Sequence, residues 1–305
     1  MKLLLTGHSG FVGQYLLPQL RERYHVFLLQ NDLRDHAEIQ QEIRRINPNI
    51  VLHLAARTEV QQSFYEPNVF TDINYSGTVN LIESCRSECT DLRLFAFAST
   101  MEVYGWQPVS DEVKLFGKPL QHVAFDENTI PQPNAPYAVA KRACELYLQF
   151  LHRSIGFPFV ALRQTNSYGR HDNDFFVTEQ IITQMLQGQS QINLGYPEPF
   201  RNFLHIDDLI SAWLAVLDNH SVTNGKLYTI GPDNPVCIAD YADKIAGMIG
   251  WQGSINWHTK PHRIGEIYWL NSNHDLITQD TGWKPIIGLD DGLLRTISLW
   301  QKKTA

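Results

Sequence analysis

Residues 2–13 read KLLLTGHSGFVG, and this stretch decides the fold. A short β-prone run from Lys2 to Thr6 leads into Gly7, Gly10 and Gly13, a GxxGxxG pattern. Phe11, Val12, Tyr15, Leu16, Leu17 and Leu20 then fall at helical spacing. Strand, glycine turn and helix in that order let backbone N–H groups approach a pyrophosphate at the positive end of the helix. Glycines alone are common in turns and caps, so it is the strand before and the helix after that make the triplet a dinucleotide fingerprint. Gly7, Gly10, Phe11, Val12 and Gly13 are therefore the candidate cofactor-binding residues of this turn.

Working outward, the same alternation continues. A second strand is predicted at Val26 to Leu29, a helix at Ala37 to Ile46, and a third strand at Ile50 to Leu54 after the breaker Asn47-Pro48. Helical periodicity covers Val69 to Cys85, an apolar strand Leu92 to Ala98, a long helix Tyr137 to Ile155, and one more strand Phe159 to Leu162. Strands alternating with helices imply parallel βαβ units, so the expected class is α/β, a Rossmann-type doubly wound parallel sheet. After about residue 168 the rhythm becomes less regular and richer in Gly, Pro and Asn. We place the nucleotide-binding domain at 1–168 and a smaller α/β substrate-binding lobe at 169–305, with the chain returning to the sheet near 203–217. Strands near Gln191 to Leu194 and Lys226 to Ile230, and helices near Phe176 to Leu186, Ile206 to Leu217 and Ile238 to Ile249, are expected to build that lobe.

Composition sets limits on partners. The 305 residues are 43% hydrophobic and 19% charged, ordinary values for a globular chain with a sizeable core. The formal net charge of -7, with no Lys/Arg run, argues against a nucleic-acid partner, which needs clustered cations. The apolar opening is too short for a signal segment, and no run reaches the length of a membrane span, so the expected location is cytoplasmic. Cys85, Cys89, Cys144 and Cys237 form no CxxC pair and have no neighbouring histidines, so they read as free thiols and no metal site is expected.

Two further groups carry chemistry. An acidic residue usually ends the second strand and holds the adenosine ribose. Here that strand ends Leu28-Leu29-Gln30-Asn31, and Asp32 follows, 19 residues after Gly13. Asp32 either holds the ribose or begins an adenine-contacting Asp32-Leu33 pair. With no basic residue directly after the strand apart from Arg34, NAD is the expected cofactor, and NADP is not excluded. Tyr137 and Lys141 stand at Tyr-x-x-x-Lys spacing, one turn apart on one helix face. A lysine ammonium beside a phenol favours the phenolate and makes the tyrosine a usable general base. Ser99-Thr100, ending the strand from Leu92, would bring a hydroxyl to the same substrate oxygen.

With these residues in view, the chain resembles the extended short-chain dehydrogenase/reductase superfamily, in particular its nucleotide-sugar epimerases, dehydratases and 4-ketoreductases. The likeness rests on LLLTGHSGFVG at 3–13, HLAA at 53–56, DINYSGTVNLIE at 72–83, ASTMEVYG at 98–105, PYAVAK at 136–141, RNFLHIDDL at 201–209, and HRIGE followed by TGWKP. It implies that Tyr137 is the base, that Lys141 tunes it and binds the nicotinamide ribose, and that Thr100 is the hydroxyl partner. It implies that Leu54, Ala55 and Ala56 lie along the cofactor, and that Asn166, Arg201 and Arg263 contact the nucleotide-sugar substrate. The stretch from Phe176 to Arg201 looks most like the GDP-mannose branch, its 4,6-dehydratases and its 4-keto-6-deoxymannose reductases. The resemblance also implies a homodimer, in which the helices from Val69 and from Tyr137 pair across a four-helix interface.

Glu102 separates the activities. In resembling 4,6-dehydratases a glutamate at this place removes the C5 proton, whereas plain 4-epimerases keep small or hydroxylated residues there. Met101, at the candidate substrate-binding position beside it, departs from the aspartate or serine many dehydratases use, and a thioether donates no proton. The expectation is therefore a nucleotide-sugar 4,6-dehydratase-like enzyme, with a 4-epimerase or 4-ketoreductase as the alternative. A cofactor-binding scaffold without turnover is more remote, because the set Thr100, Tyr137 and Lys141 is intact.

Overall fold

The computed structural model describes residues 1–260 and 264–304. Its centre is a six-stranded parallel sheet. The strands β1 (Lys2–Thr6), β2 (His25–Leu28), β3 (Ile50–His53), β4 (Leu94–Thr100), β5 (Phe159–Gln164) and a last strand, Lys226–Ile230, lie in the order last-β5-β4-β3-β1-β2. All seven residues of β4 are buried, as expected of a central strand covered on both faces. One face is covered by helix α2 (His36–Ile46) with the helices Gly77–Glu88 and Pro136–Ile155, whose Ile39, Ile43, Leu81, Ile82, Cys144 and Leu148 pack on it. The other face is covered by helix α1 (Phe11–Arg23) and Ile206–Asp218, through Leu16, Leu20, Leu209 and Trp213.

The connections from β1 to β2 and then to β3 run to opposite sides of β1. The crevice at the carboxyl ends of β1 and β3 is thus a topological switch point, where doubly wound sheets bind ligands. Both candidate cofactor segments, the glycine turn after β1 and Leu54-Ala55-Ala56 after β3, open there.

The smaller lobe is built on helices Val177–Leu186, Ile238–Ile249 and Leu289–Thr304 around Ile181, Ile182, Tyr241, Ile245, Leu293 and Trp300. Short two-stranded pairings, Gln191–Asn193 with Ser254–Asn256 and Phe200–Arg201 with Val236–Cys237, complete it. One expectation needs correction. Lys226–Ile230 belongs not to the lobe but to the main sheet, where Tyr228 and Ile230 are buried beside β5. The helical stretch expected over Val69 to Cys85 is present within a continuous helical run, Pro67–Thr71 passing through a wide π-type turn, Asp72–Ser76, into Gly77–Glu88. Among the described residues no helix is long and apolar enough to cross a membrane, and no group of three His, Cys, Asp or Glu side chains could hold a metal ion.

Candidate active site

The glycine turn is held by its own backbone. Gly7 takes φ +69°, and a Cβ there would lie 2.6 Å from the Ala55 nitrogen, so the turn sits directly on the end of β3. A Cβ at Gly13 would run into the Gly7 carbonyl oxygen and lie 2.7 Å from the His8 Cα. Gly10 differs, because a Cβ there would meet only the Gly7 oxygen, at 3.3 Å. Two of the three glycines are thus required by internal packing, and the third keeps clear the space above the helix start. Gly10 caps α1 without a side-chain hydrogen bond, and no acidic residue stands in the first turn, so its N–H groups and positive end are left for an anion. This cradle fits a dinucleotide pyrophosphate.

A buried polar chain fixes the neighbouring strand end. The Ala55 N–H donates to Thr6 Oγ1 (3.1 Å), and the Thr78 hydroxyl donates to the Asn74 carbonyl (2.7 Å). Between them, His53 Nδ1 lies 2.7 Å from Thr6 Oγ1 and Nε2 lies 2.9 Å from Thr78 Oγ1. The two outer bonds settle the direction of the inner ones: Thr6 donates to Nδ1 and the Nε2 proton goes to Thr78, a neutral imidazole. Burial, reinforced by the Lys141 charge, holds the His53 pKa down at about 3. A group depressed in the folded state stabilises above its unfolded value of about 6.5 and loses that contribution as pH falls toward 3. We expect the wild-type protein to lose about 2 kcal/mol of stability between pH 6.5 and 5 from this histidine. Denaturant unfolding across that window should show a flatter slope for His53→Gln; parallel slopes would remove His53 as the cause.

The catalytic candidates converge from three elements. Thr100 ends β4 and its hydroxyl accepts the Glu102 N–H at 3.2 Å, starting the tight turn Met101–Tyr104. Tyr137 and Lys141 occupy the first two turns of Pro136–Ile155 and are only 7% and 2% exposed. Burial pushes the Tyr137 phenol well above its usual value, the Glu102 carboxylate adds to the rise, and a hydrogen bond with Thr100 opposes it. Thr100 and Glu102 therefore lie near enough to Tyr137 to act on its phenol. The expected coupling of Lys141 to Tyr137 differs: in this arrangement the Lys141 amine donates to the Ala98 carbonyl at 2.8 Å and sits 4.7 Å from the Phe97 ring centre. Burial lowers Lys141 to about 8, and the lysine is not among the groups that act on the phenol.

Behind these residues lies a network that sequence reasoning missed. Glu145, fully buried, accepts from Ser99 Oγ (2.6 Å), from Arg163 Nε and Nη2 (2.9 and 2.8 Å) and from Arg142 Nη1 (2.8 Å). Arg163 Nη1 donates to the Tyr104 hydroxyl, which donates to the Asp126 carbonyl. One carboxylate thus ties β4, β5 and the Tyr137 helix together, so the spacing between Thr100 and Tyr137 is set by a bidentate ion pair. A charged residue inside each of the apolar stretches FVALRQ and ACELYL was the available signal.

The remaining candidates are placed less uniformly. Leu33 is buried under the helix Gly77–Glu88, with its carbonyl held by Asn80, while Asp32 is exposed and bound to Arg34. Asn166 is exposed, opposite Phe203 in a short parallel pairing. Arg201 is buried and paired with Glu266 at 2.7 Å, so its charge is already met within the protein. Met101 is 1% exposed in an apolar cluster with Tyr104, Val113, Phe125 and Trp269, and its side chain serves packing rather than an open substrate surface, which corrects the expectation. Arg263 lies outside the described residues.

This geometry meets a known family. The profile described as NAD dependent epimerase/dehydratase family matches residues 3–231. The chain belongs to that family. Among its relatives, a putative UDP-glucose 4-epimerase of Methanocaldococcus jannaschii is 28% identical over 98% of both chains. The dTDP-D-glucose 4,6-dehydratase of Mus musculus is 26% identical over 99% of this chain and 89% of its own. The GDP-6-deoxy-D-mannose reductase of Pseudomonas aeruginosa is 27% identical over 99% and 98%. The structure of RMD from Pseudomonas aeruginosa complexed with NADPH superposes with a TM-score of 0.83 at 27% identity, covering 99% of both chains. The family's relatives at this identity are thus epimerases, dehydratases and reductases, and the chain has the Rossmann-type fold its sequence predicts.

Proposed function

We propose that the protein is a nucleotide-sugar 4,6-dehydratase-like enzyme that works by transient oxidation at sugar C4. What supports this reading is a carboxylate, Glu102, in the turn that Thr100 starts by accepting the Glu102 N–H at 3.2 Å, close enough to the buried Tyr137 for its charge to raise the phenol. A dinucleotide on the Gly7–Gly13 turn supplies the acceptor, and later the donor, of the C4 hydrogen with its electron pair. Tyr137 in its deprotonated form takes the C4 hydroxyl proton and Thr100 hydrogen-bonds the same oxygen. The carbonyl so formed acidifies C5–H, Glu102 removes that proton, and the C6 hydroxyl leaves as water by taking the same proton back from the Glu102 carboxyl.

Glu102→Gln tests the assignment. The variant should still oxidise C4 and accumulate a 4-keto sugar that retains its C6 hydroxyl, with water loss abolished by mass. Turnover at the wild-type rate, or a wild-type protein that never exchanges the C5 proton for deuterium, would reduce Glu102 to a binding residue. The alternative, a 4-epimerase or 4-ketoreductase, is favoured by Met101, whose buried thioether supplies no proton to a departing hydroxyl.

The oligomer follows from one helix face. Val139, Leu146 and Phe150 are exposed along a single stripe of Pro136–Ile155, and burying them against a second copy would remove a contiguous apolar surface from water. The partner helix contributes less than its sequence suggests, since Val69 is the exposed large apolar side chain of the described stretch from Val69 to Cys85. We expect light scattering to give twice the chain mass; a concentration-independent monomer would refute the pairing.

A further inference from the structure

Arg170 follows the short strand Asn166–Tyr168 at the entry to the smaller lobe and is buried, 8% exposed. Its guanidinium lies between two aromatic rings, 4.1 Å from the centre of Phe11 and 4.0 Å from that of Phe176. The rings come from different parts of the molecule. Phe11 is the first residue of α1, whose N–H groups are left for an anion, and Phe176 caps the lobe helix Val177–Leu186. The buried Glu179 carboxylate stands 3.8 Å from Arg170 Nε, beyond hydrogen-bond reach, and that Nε has no hydrogen-bond partner among the described residues. The cation is thus seated by the two rings more than by its counter-charge. The backbone around it is tied to both sides as well. The Tyr15 hydroxyl of α1 donates to the Gly169 carbonyl at 3.2 Å and lies equally close to His171 Nδ1, and the Tyr15 ring packs edge-on against Phe11. From the helix Leu289–Thr304, Trp300 Nε1 donates to the Arg170 carbonyl at 3.0 Å and Lys303 Nζ to the His171 carbonyl at 2.9 Å.

We propose that Arg170 couples the two ligand sites. A dinucleotide on the glycine turn fixes Phe11 and, through the Arg170 cation, fixes Phe176 and the start of Val177–Leu186, so the nucleotide part of the substrate binds more tightly once the cofactor is in place. The inference rests on the proposed function, with the dinucleotide on the Gly7–Gly13 turn and the nucleotide-sugar in the smaller lobe. A cation between two π faces is attracted to both, most strongly where water is excluded, and displacing either ring weakens the contact. Ordering one ring therefore lowers the cost of ordering the other, and by linkage the effect is reciprocal. Arg170 is a positioning residue in this account, since it acts on both ligands through the rings.

The test is a double titration at equilibrium. UDP, GDP and dTDP are titrated by calorimetry into the wild-type protein, with and without saturating dinucleotide, NADH or NADPH, whichever binds the more tightly. The tightest diphosphate is then carried into Arg170→Met and Phe176→Leu. In wild type the dinucleotide should tighten the diphosphate by roughly tenfold, and the diphosphate should tighten the dinucleotide by the same factor. In each variant that factor should fall to roughly twofold or less, whereas damage to packing alone would weaken each ligand by itself and leave the factor as in wild type. Arg170→Met strands the buried Glu179, so Phe176→Leu, which keeps both charges and removes one ring, decides the outcome if the first variant does not fold. A factor of one or below in wild type, or the full wild-type factor in either folded variant, would overturn the coupling. A wild type that binds a dinucleotide but none of the three diphosphates would instead refute the nucleotide-sugar reading, and one that binds neither NADH nor NADPH would refute the dinucleotide site.

Discussion

Tyr137→Phe should lower turnover by roughly 100- to 10,000-fold while leaving the fold and dinucleotide affinity intact. The ring stays in its buried seat and only the hydroxyl is removed, so the loss reports the proton acceptor rather than packing. In the proposed reaction, oxidation at C4 precedes every later event, so water loss, C5 exchange and product release should fall together in this variant. The environment of Tyr137 adds a second, directional expectation. The Glu102 carboxylate raises the phenol, so removing that charge in Glu102→Gln lowers it, and the pH at which C4 oxidation reaches half its maximum should move downward. Single-turnover oxidation across a pH series measures this shift. A Tyr137→Phe enzyme within a few-fold of wild type would place the base elsewhere.

Gly13→Val should abolish dinucleotide binding. The added side chain cannot be accommodated against the Gly7 carbonyl and His8, so the first turn of α1 must move away from the end of β1 and carry its N–H groups with it. Gly10→Ala offers the sharper comparison, because a Cβ there makes one tight contact, 3.3 Å to the Gly7 oxygen, which a shift of a few tenths of an ångström relieves, unlike the overlap at Gly13. Weakened binding in Gly10→Ala, with an unchanged melting curve, would locate the ligand directly above that Cα. Unchanged NADH affinity in a folded Gly13→Val protein would dissociate the glycine turn from the cofactor.

What could be read in advance follows from how local each signal is. The glycine turn and the helix that carries Tyr137 and Lys141 are specified within a few residues, by backbone conformation and by helical spacing, and both elements stand where the sequence puts them, whereas the Lys141 amine goes to the Ala98 carbonyl rather than to the phenol. Lys226–Ile230 is misplaced by its sequence because nothing in the five residues KLYTI says which sheet accepts them; that is settled by β5 presenting an open edge. The π-type turn at Asp72–Ser76 was unreadable for a related reason. It is held by Asn74, whose side chain binds both the N–H and the carbonyl of Arg57, at 2.8 Å each, 17 residues away. Arg201 matches a family position and Met101 departs from one, and only their surroundings, Glu266 in one case and an apolar cluster in the other, reveal what their side chains touch. The Glu145–Arg163 pair needed the fold before its partners could be paired at all.

The place of Lys226–Ile230 at the edge of the main sheet has a consequence for biosynthesis. When β5 has left the ribosome, the sheet still lacks its last strand and the helix Ile206–Asp218 that, with α1, covers one face of its core. Both arrive only after the chain has made its excursion through Val177–Leu186 and the short strand Gln191–Asn193. At roughly 5–20 residues per second, a nascent chain would hold that apolar face and an unpaired parallel edge open for on the order of several seconds. Parallel strand addition is slow in any case, because a long loop must close before any ladder bond forms. The interval is a window for chaperone capture, and it explains why a fragment ending at residue 168 would be an incomplete sheet rather than a free-standing nucleotide-binding domain.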